Sequence, residues 1–129
     1  MKPVEITDCV FCRLDADRAI LAESELAFAI YDKFPVNPGH VLIIPKRHTG
    51  DYFDLTPEEQ QALFDLLRHV KPIVERAFSP AGYNVGINVG EAAGQTVGHV
   101  HVHLIPRYAN DVANPRGGVR GVIPGRKEY

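Results

Sequence analysis

Hydrophobic positions along the chain change period twice. Up to residue 50 they fall in short runs. Ala19–Leu21 and Ala27–Tyr31 flank the polar Glu23-Ser24-Glu25, which predicts two strands joined by a tight turn. The loop Pro35-Val36-Asn37-Pro38-Gly39 leads into His40-Val41-Leu42-Ile43-Ile44, read as a buried strand stopped by Pro45. From Thr56 to about Phe78 the period becomes helical. Leu63, Leu66, Leu67, Val70, Ile73, Val74 and Ala77 form one stripe, Thr56 and Glu59 have the spacing of a capping box, and Pro57 suits the first helical position. Pro72 removes one backbone donor and predicts a kink. Beyond Ser79-Pro80-Ala81-Gly82 alternation returns over Tyr83–Val89. A glycine-punctuated loop spans Gly90 to Gly98, and a further strand covers Val97 to Ile105, closed by Pro106.

Strands, one long helix, then strands, without repeated strand–helix–strand units, predict an α+β domain with an antiparallel sheet. We place this domain at 1–109. Residues 110–129, rich in Gly, Pro and Arg, form a tail with no periodicity. No repeat or low-complexity segment is visible. At 129 residues, 45% hydrophobic and 23% charged, the chain has the size and composition of one globular domain. A net charge of −2 creates no global attraction to nucleic acid or to an anionic membrane, so any anion site must be local. The opening MKPVEITD lacks the apolar run of an export signal, and the longest apolar stretches are too short to cross a bilayer, which makes the cytoplasm the expected location. In that compartment Cys9 and Cys12, spaced C-x-x-C, are not expected to form a structural disulfide. Metal binding, redox chemistry and two free buried thiols remain the alternatives.

The segment Gly98-His99-Val100-His101-Val102-His103-Leu104-Ile105 carries the most chemical information. On a strand, His99, His101 and His103 share one face at about 7 Å intervals, while Val100, Val102 and Leu104 face the core. Three readings compete: a polar strand face with incidental histidines, a metal site built from neutral imidazoles, and nucleophilic attack on phosphorus. The preceding Gly90–Gly98 loop offers unshielded backbone amides, with Gln95 and Thr96 as side-chain donors, and such a loop can hold an anion.

His99-Val100-His101-Val102-His103-Leu104-Ile105 resembles the signature of the histidine triad family at every position. Gly94-Gln95-Thr96-Val97 before it, and Pro38-Gly39-His40-Val41-Leu42-Ile43-Ile44-Pro45, are similar to further family motifs. The resemblance covers about residues 8–108. It implies an antiparallel sheet of about five strands with one long helix and a short one, extended across a homodimer. It also implies that His101 is the nucleophile, forming a nucleotidyl-histidine intermediate from an adenosine 5′-phosphate derivative. His103 would contact the phosphate or assist the leaving group, and His99 and His40 complete the catalytic set. Asp32 takes the position of a carboxylate on the ribose hydroxyls, and Asn88, Gln95 and Thr96 take positions that contact phosphates. Phe28 and Ile30 are candidates for the base pocket. A third histidine, rather than glutamine, points to the hydrolase branches, and Gly94-Gln95-Thr96-Val97 with the triad looks somewhat more like the dinucleoside polyphosphate branch.

In some bacterial triad proteins and related sugar-phosphate nucleotidylyltransferases, a similar pattern of residues binds zinc. By that resemblance Cys9, Cys12, His48 and His99 make a structural Zn²⁺ site, and no catalytic cofactor is required. The redox reading is weaker, because no thioredoxin-like strand–helix context surrounds the cysteines. Arg107, Arg116, Arg120, Arg126 and Lys127 concentrate positive charge after the triad. The tail either holds the leaving group over the site or is solvated and mobile. Two rivals to a hydrolase are a nucleotide-binding regulatory module with little turnover and a metal protein with a three-histidine centre.

Overall fold

The computed structural model describes residues 8–14 and 18–128. The stretch 1–7, most of the opening read above as lacking an export signal, lies outside the described residues, as does Tyr129. Five strands form one antiparallel sheet: β1 (Ala22–Glu23), β2 (Ala27–Tyr31), β3 (Val41–Pro45), β4 (Gly82–Ile87) and β5 (Val102–Arg107), in the order β1-β2-β3-β5-β4. One long helix, α1 (Pro57–Phe78), joins β3 to β4. The first strand forms at Ala22–Glu23 rather than Ala19–Leu21, so Glu23 belongs to the ladder, opposite Phe28, and not to the turn. The short helix implied by resemblance is absent as an α-helix among the described residues. Single 3₁₀ turns stand at Tyr52–Asp54, Glu91–Ala93 and Gly118–Val122 instead.

Alternation along the strands divides the sheet into two faces. Ala27, Ala29, Val41, Ile43, Val102 and Leu104 point toward α1 and are essentially inaccessible, together with Leu63, Leu66, Val70 and Val74 of the helix. Each of those four helical side chains contributes roughly 1.5–3 kcal/mol by leaving water. Of the rest of the predicted stripe, Leu67 and Ile73 are half-buried and Ala77 is exposed. The helix runs unbroken through Pro72, whose ring lies on the exposed side. Thr56 Oγ accepts from the Glu59 N–H at 3.1 Å, and the Thr56 N–H donates to Glu59 Oε1 at 2.9 Å. The same carboxylate takes a bidentate pair from Arg47 at 2.9 and 2.8 Å, which holds its pKa down at about 2 and ties the helix start to the end of β3.

The opposite face carries Phe28, Ile30, Leu42 and Ile44, covered by Cys9 and Phe11 of the N-terminal segment. His40, His103 and, toward the sheet edge, Ile105, Asn84 and Gly86 continue this face. Gly39 delivers His40 to it: at φ +88° the backbone adopts a form that glycine favours, and an added Cβ would lie 2.9 Å from the Phe78 ring.

Candidate active site and metal cluster

The β5 ladder begins at Val102, not at Val97 as the alternation predicts. Upstream, the Val100 N–H donates to Thr49 O at 2.8 Å, which keeps Val100 on the core side and His99 and His101 on the other. The three histidines then differ in what they meet, and hydrogen bonds fix the proton on each ring.

His99 is fully buried, with both ring nitrogens engaged. Its Nε2–H donates to Pro45 O at 2.7 Å, which leaves Nδ1 as a lone-pair donor. That Nδ1 lies 3.4 Å from Cys9 Sγ, 3.4 Å from Cys12 Sγ and 3.2 Å from His48 Nδ1, and Cys12 Sγ is 3.2 Å from His48 Nδ1. All four donor atoms fall within 4.8 Å of one another. Tetrahedral zinc with ordinary Zn–S and Zn–N lengths spaces such donors roughly 3.3–3.8 Å apart, so the set fits that ion. Burial and the neighbouring Cys9 push the Cys12 thiol up to about 11, a cost that a bound cation reverses. The geometry therefore places His99 in this cluster, with both of its ring nitrogens engaged.

His101 donates Nδ1–H to the His99 carbonyl at 2.9 Å, so its Nε2 carries the lone pair. It is buried at 9% exposure and lines a cavity of about 400 Å³ with His103, Asp32 and Thr96. On the far side of His103 stands His40. The Val36 N–H donates to His40 Nδ1 at 3.1 Å, which puts the His40 proton on Nε2, 3.0 Å from His103 Nδ1 and 3.6 Å from Asp32 Oδ2. His103 thus accepts at Nδ1 and carries its own proton on Nε2. Burial lowers the pKa of His40 and of His101. For His103 burial, then His101 and His40, bring it down to about 4. All three are neutral near pH 7, with one lone pair at His101 Nε2 and one N–H at His103 Nε2.

The cavity walls differ from expectation. Phe28 and Ile30 pack into the core cluster, and the apolar lining comes from Val10, Phe11, Phe34, Leu42 and Val97. Phe11 meets the His101 ring edge-on at 5.1 Å. It stands inside the C-x-x-C motif, and an aromatic between two metal-type cysteines was the sequence signal for it. The local cations are Arg13, Arg18 and Lys33 on this cavity, not the tail residues. Arg107 is held by Asp111 at 2.7 and 2.8 Å and by Asn84 at 2.7 Å. Arg120 turns back onto the carbonyls of Arg126 and Lys127. Thr96 lines the cavity, whereas Asn88 lies in a second cavity beyond His103. Gln95 faces neither. At 4% exposure its oxygen accepts from the Gly90 N–H and its amide donates to Gly50 O and Val97 O.

Residues 13–110 match the model of the HIT domain family. The chain belongs to the HIT family. Among HIT relatives, a bis(5′-nucleosyl)-tetraphosphatase (asymmetrical) of Schizosaccharomyces pombe is 42% identical over 78% of this chain and 56% of its own length, so the chain spans little more than half of that protein. An adenosine 5′-monophosphoramidase of the same organism is 39% identical over 77% of this chain and 74% of its own. A crystal structure of a zinc-bound histidine triad family protein from Mycobacterium smegmatis superposes with a TM-score of 0.76 at 34% identity, covering 85% of this chain and 82% of that one. By name, the first relative acts on bis(5′-nucleosyl) tetraphosphates and the second on adenosine 5′-monophosphoramidate. No helix among the described residues is long and apolar enough to cross a membrane.

Proposed function

We propose that this HIT protein is a nucleotidyl hydrolase that cleaves adenosine 5′-phosphate derivatives through a covalent intermediate on His101 and releases AMP. The observation that carries this reading is the proton arrangement: a lone pair at His101 Nε2 beside an N–H at His103 Nε2, in one cavity. The adenosine half occupies the apolar walls, with Asp32 on the ribose and Thr96 near the phosphate. The anionic α-phosphate raises the pKa of the His40–His103 pair as it binds, and the pair takes one proton from water at His40 Nδ1, which gives up its bond from the Val36 N–H. His101 Nε2 then bonds to phosphorus, the bond to the leaving atom breaks, and that atom takes the proton from His103. Water next attacks phosphorus and returns a proton to His103, and the His101–phosphorus bond breaks as AMP forms. No metal takes part in these steps.

We further infer that Cys9, Cys12, His48 and His99 hold a structural zinc, which pins the N-terminal segment, Phe11 included, against the catalytic face. The donor spacing supports it. A homodimer follows the family pattern, and the ladder groups on the open edge of β4 offer it a surface. Thiol ligands that must stay reduced favour the cytoplasm.

The test is a chromatographic time course with adenosine 5′-phosphoramidate and diadenosine tetraphosphate. Wild type is expected to release AMP and His101→Ala to release none, and the faster substrate identifies the branch. Wild type that binds AMP yet releases none from either substrate would establish the regulatory-module reading instead.

A further inference from the structure

The wall of the catalytic cavity formed by His103 is also the wall of a second and larger one. This space, of about 770 Å³, lies over the β4 end of the sheet, with His40 and His103 on one side. Gly86 forms its floor. It pairs with His103 in the β4–β5 register, so both point to the same face, and a Cβ built on it meets nothing within 4 Å. The 3₁₀ turn Gly118–Val122 of the tail forms the roof through Gly118, Val119, Gly121 and Val122. The tail is therefore not simply extended. Lys127 Nζ donates to Asn114 O at 2.7 Å, and Asn114 bonds Glu128, which folds the terminus back on itself and holds this turn in place.

The chemistry of this lining contrasts with that of the first cavity. Val36, Ile105, Val119 and Val122 face it, with Asn84 and Asn88 as the polar groups besides the two histidines, while Val85 and Ile87 border it along β4 with their side chains on the helix side of the sheet. Among the described residues no lysine, arginine, aspartate or glutamate lines it, whereas Arg13, Arg18, Lys33 and Asp32 line the first. Several of these apolar side chains stand open to solvent, Val36 at 68%, Val119 at 59% and Val122 at 74% exposure, an arrangement that favours an apolar occupant.

We propose that this second cavity is the leaving-group subsite, built by β4 and the Gly118–Val122 turn, and that it selects leaving groups with an uncharged, largely apolar body. The inference rests on the nucleotidyl-transfer reading. A substrate with its α-phosphorus at His101 extends to both sides of that atom, and the leaving atom must lie within reach of the His103 proton. With the nucleoside in the first cavity, the remainder passes His103 into the second. An organic amine on phosphorus fits a space of this size and neutrality, and a bare polyphosphate finds no cation there.

The experiment measures two quantities with the full chain. The first is the affinity of His101→Ala for AMP, adenosine 5′-phosphoramidate and its N-benzyl derivative, by calorimetry. The N-benzyl compound is expected to bind on the order of tenfold more tightly than the unsubstituted phosphoramidate, as a modest apolar group does in a fitting pocket. Adding Gly86→Val, which places methyl groups on the floor without straining a strand, or Val119→Asp, which places a charge in the roof, is expected to bring that ratio to near one. The second is the kcat/KM ratio of the same two phosphoramidates in the wild-type, Gly86→Val and Val119→Asp proteins, which should follow the same pattern. Equal affinity for both phosphoramidates in His101→Ala, or a ratio unmoved by both added substitutions, overturns the subsite. So does a selective effect that appears only with a change of oligomeric state in sedimentation, which would make the cavity an interface between copies. Absence of turnover on any substrate counts against the nucleotidyl-transfer reading, and the binding ratio still decides the subsite.

Discussion

Replacing Gln95 separates two roles that its position in the family motif leaves together. Its side chain makes three hydrogen bonds, from the Gly90 N–H at 2.9 Å, to Gly50 O at 2.7 Å and to Val97 O at 3.1 Å. Those partners are the two ends of the loop before the triad and the loop after β3. Each bond is worth about 1 kcal/mol net, and the Gly90 amide, near solvent, recovers part of its loss through water. Gln95→Ala is therefore expected to cost about 2–3 kcal/mol, or roughly 10 °C in Tm for a domain of this size. Gln95→Glu keeps the shape and the acceptor for Gly90 but sets an oxygen against two carbonyls, so it should destabilise at least as much. Urea unfolding followed by far-ultraviolet circular dichroism gives the free energies, and steady-state kinetics on the same variants gives KM. A residue whose task is to touch phosphate, with no bracing role, behaves differently: Gln95→Ala keeps its stability and loses substrate affinity. A stability change below about 0.5 kcal/mol together with a raised KM would refute the bracing assignment.

Two further outcomes follow from the site. Burial holds His40, His101 and His103 below their ordinary pKa, so they are neutral at pH 7.5, and a bound phosphate draws a proton to them. AMP binding at that pH should take up as much as one proton, and affinity should fall as pH rises from about 6.5. Calorimetry in buffers of different ionisation enthalpy measures this, and proton release on binding contradicts the assigned protonation states. Purified protein should contain about one zinc per chain, and Cys9→Ser or exhaustive chelation should lower Tm by more than about 10 °C. Less than a tenth of an equivalent of zinc in protein never exposed to chelator removes the structural-metal assignment.

Local rules made much of the fold legible. The capping box at Thr56, the helical stripe and the end at Phe78 depend on residues close in sequence, and α1 forms where the spacing predicts. The short apolar run Ala27–Tyr31 likewise gives β2 with its bounds. Failures occur where distant partners decide. Ala22 and Glu23 enter the ladder opposite Ala29 and Phe28, while of Ala19–Leu21 only Leu21 bonds β2, donating its N–H to Ala29 O at 2.8 Å, and that pairing depends on a strand outside the segment itself.

The site divides along the same line. A period of two puts His99, His101 and His103 on one side but says nothing of what each ring meets. Pro45 O, 54 positions away in sequence, turns the lone pair of His99 toward the cysteines. Val36, through His40, sets which nitrogen of His103 bears a proton. The signature therefore locates the chemistry, while the division of labour within it is written in backbone groups of other strands and loops. The same holds for the tail, where counting cations left open a hold on the leaving group or a mobile terminus. Arg107 is held by Asp111 and Asn84, and Arg120 by backbone carbonyls, and the tail meets the cavity beside His103 with valines and glycines. Charge in a sequence marks a partner only when folding leaves that charge free to meet one, and here Arg107, Arg120 and Lys127 are engaged in contacts within the chain around an apolar turn.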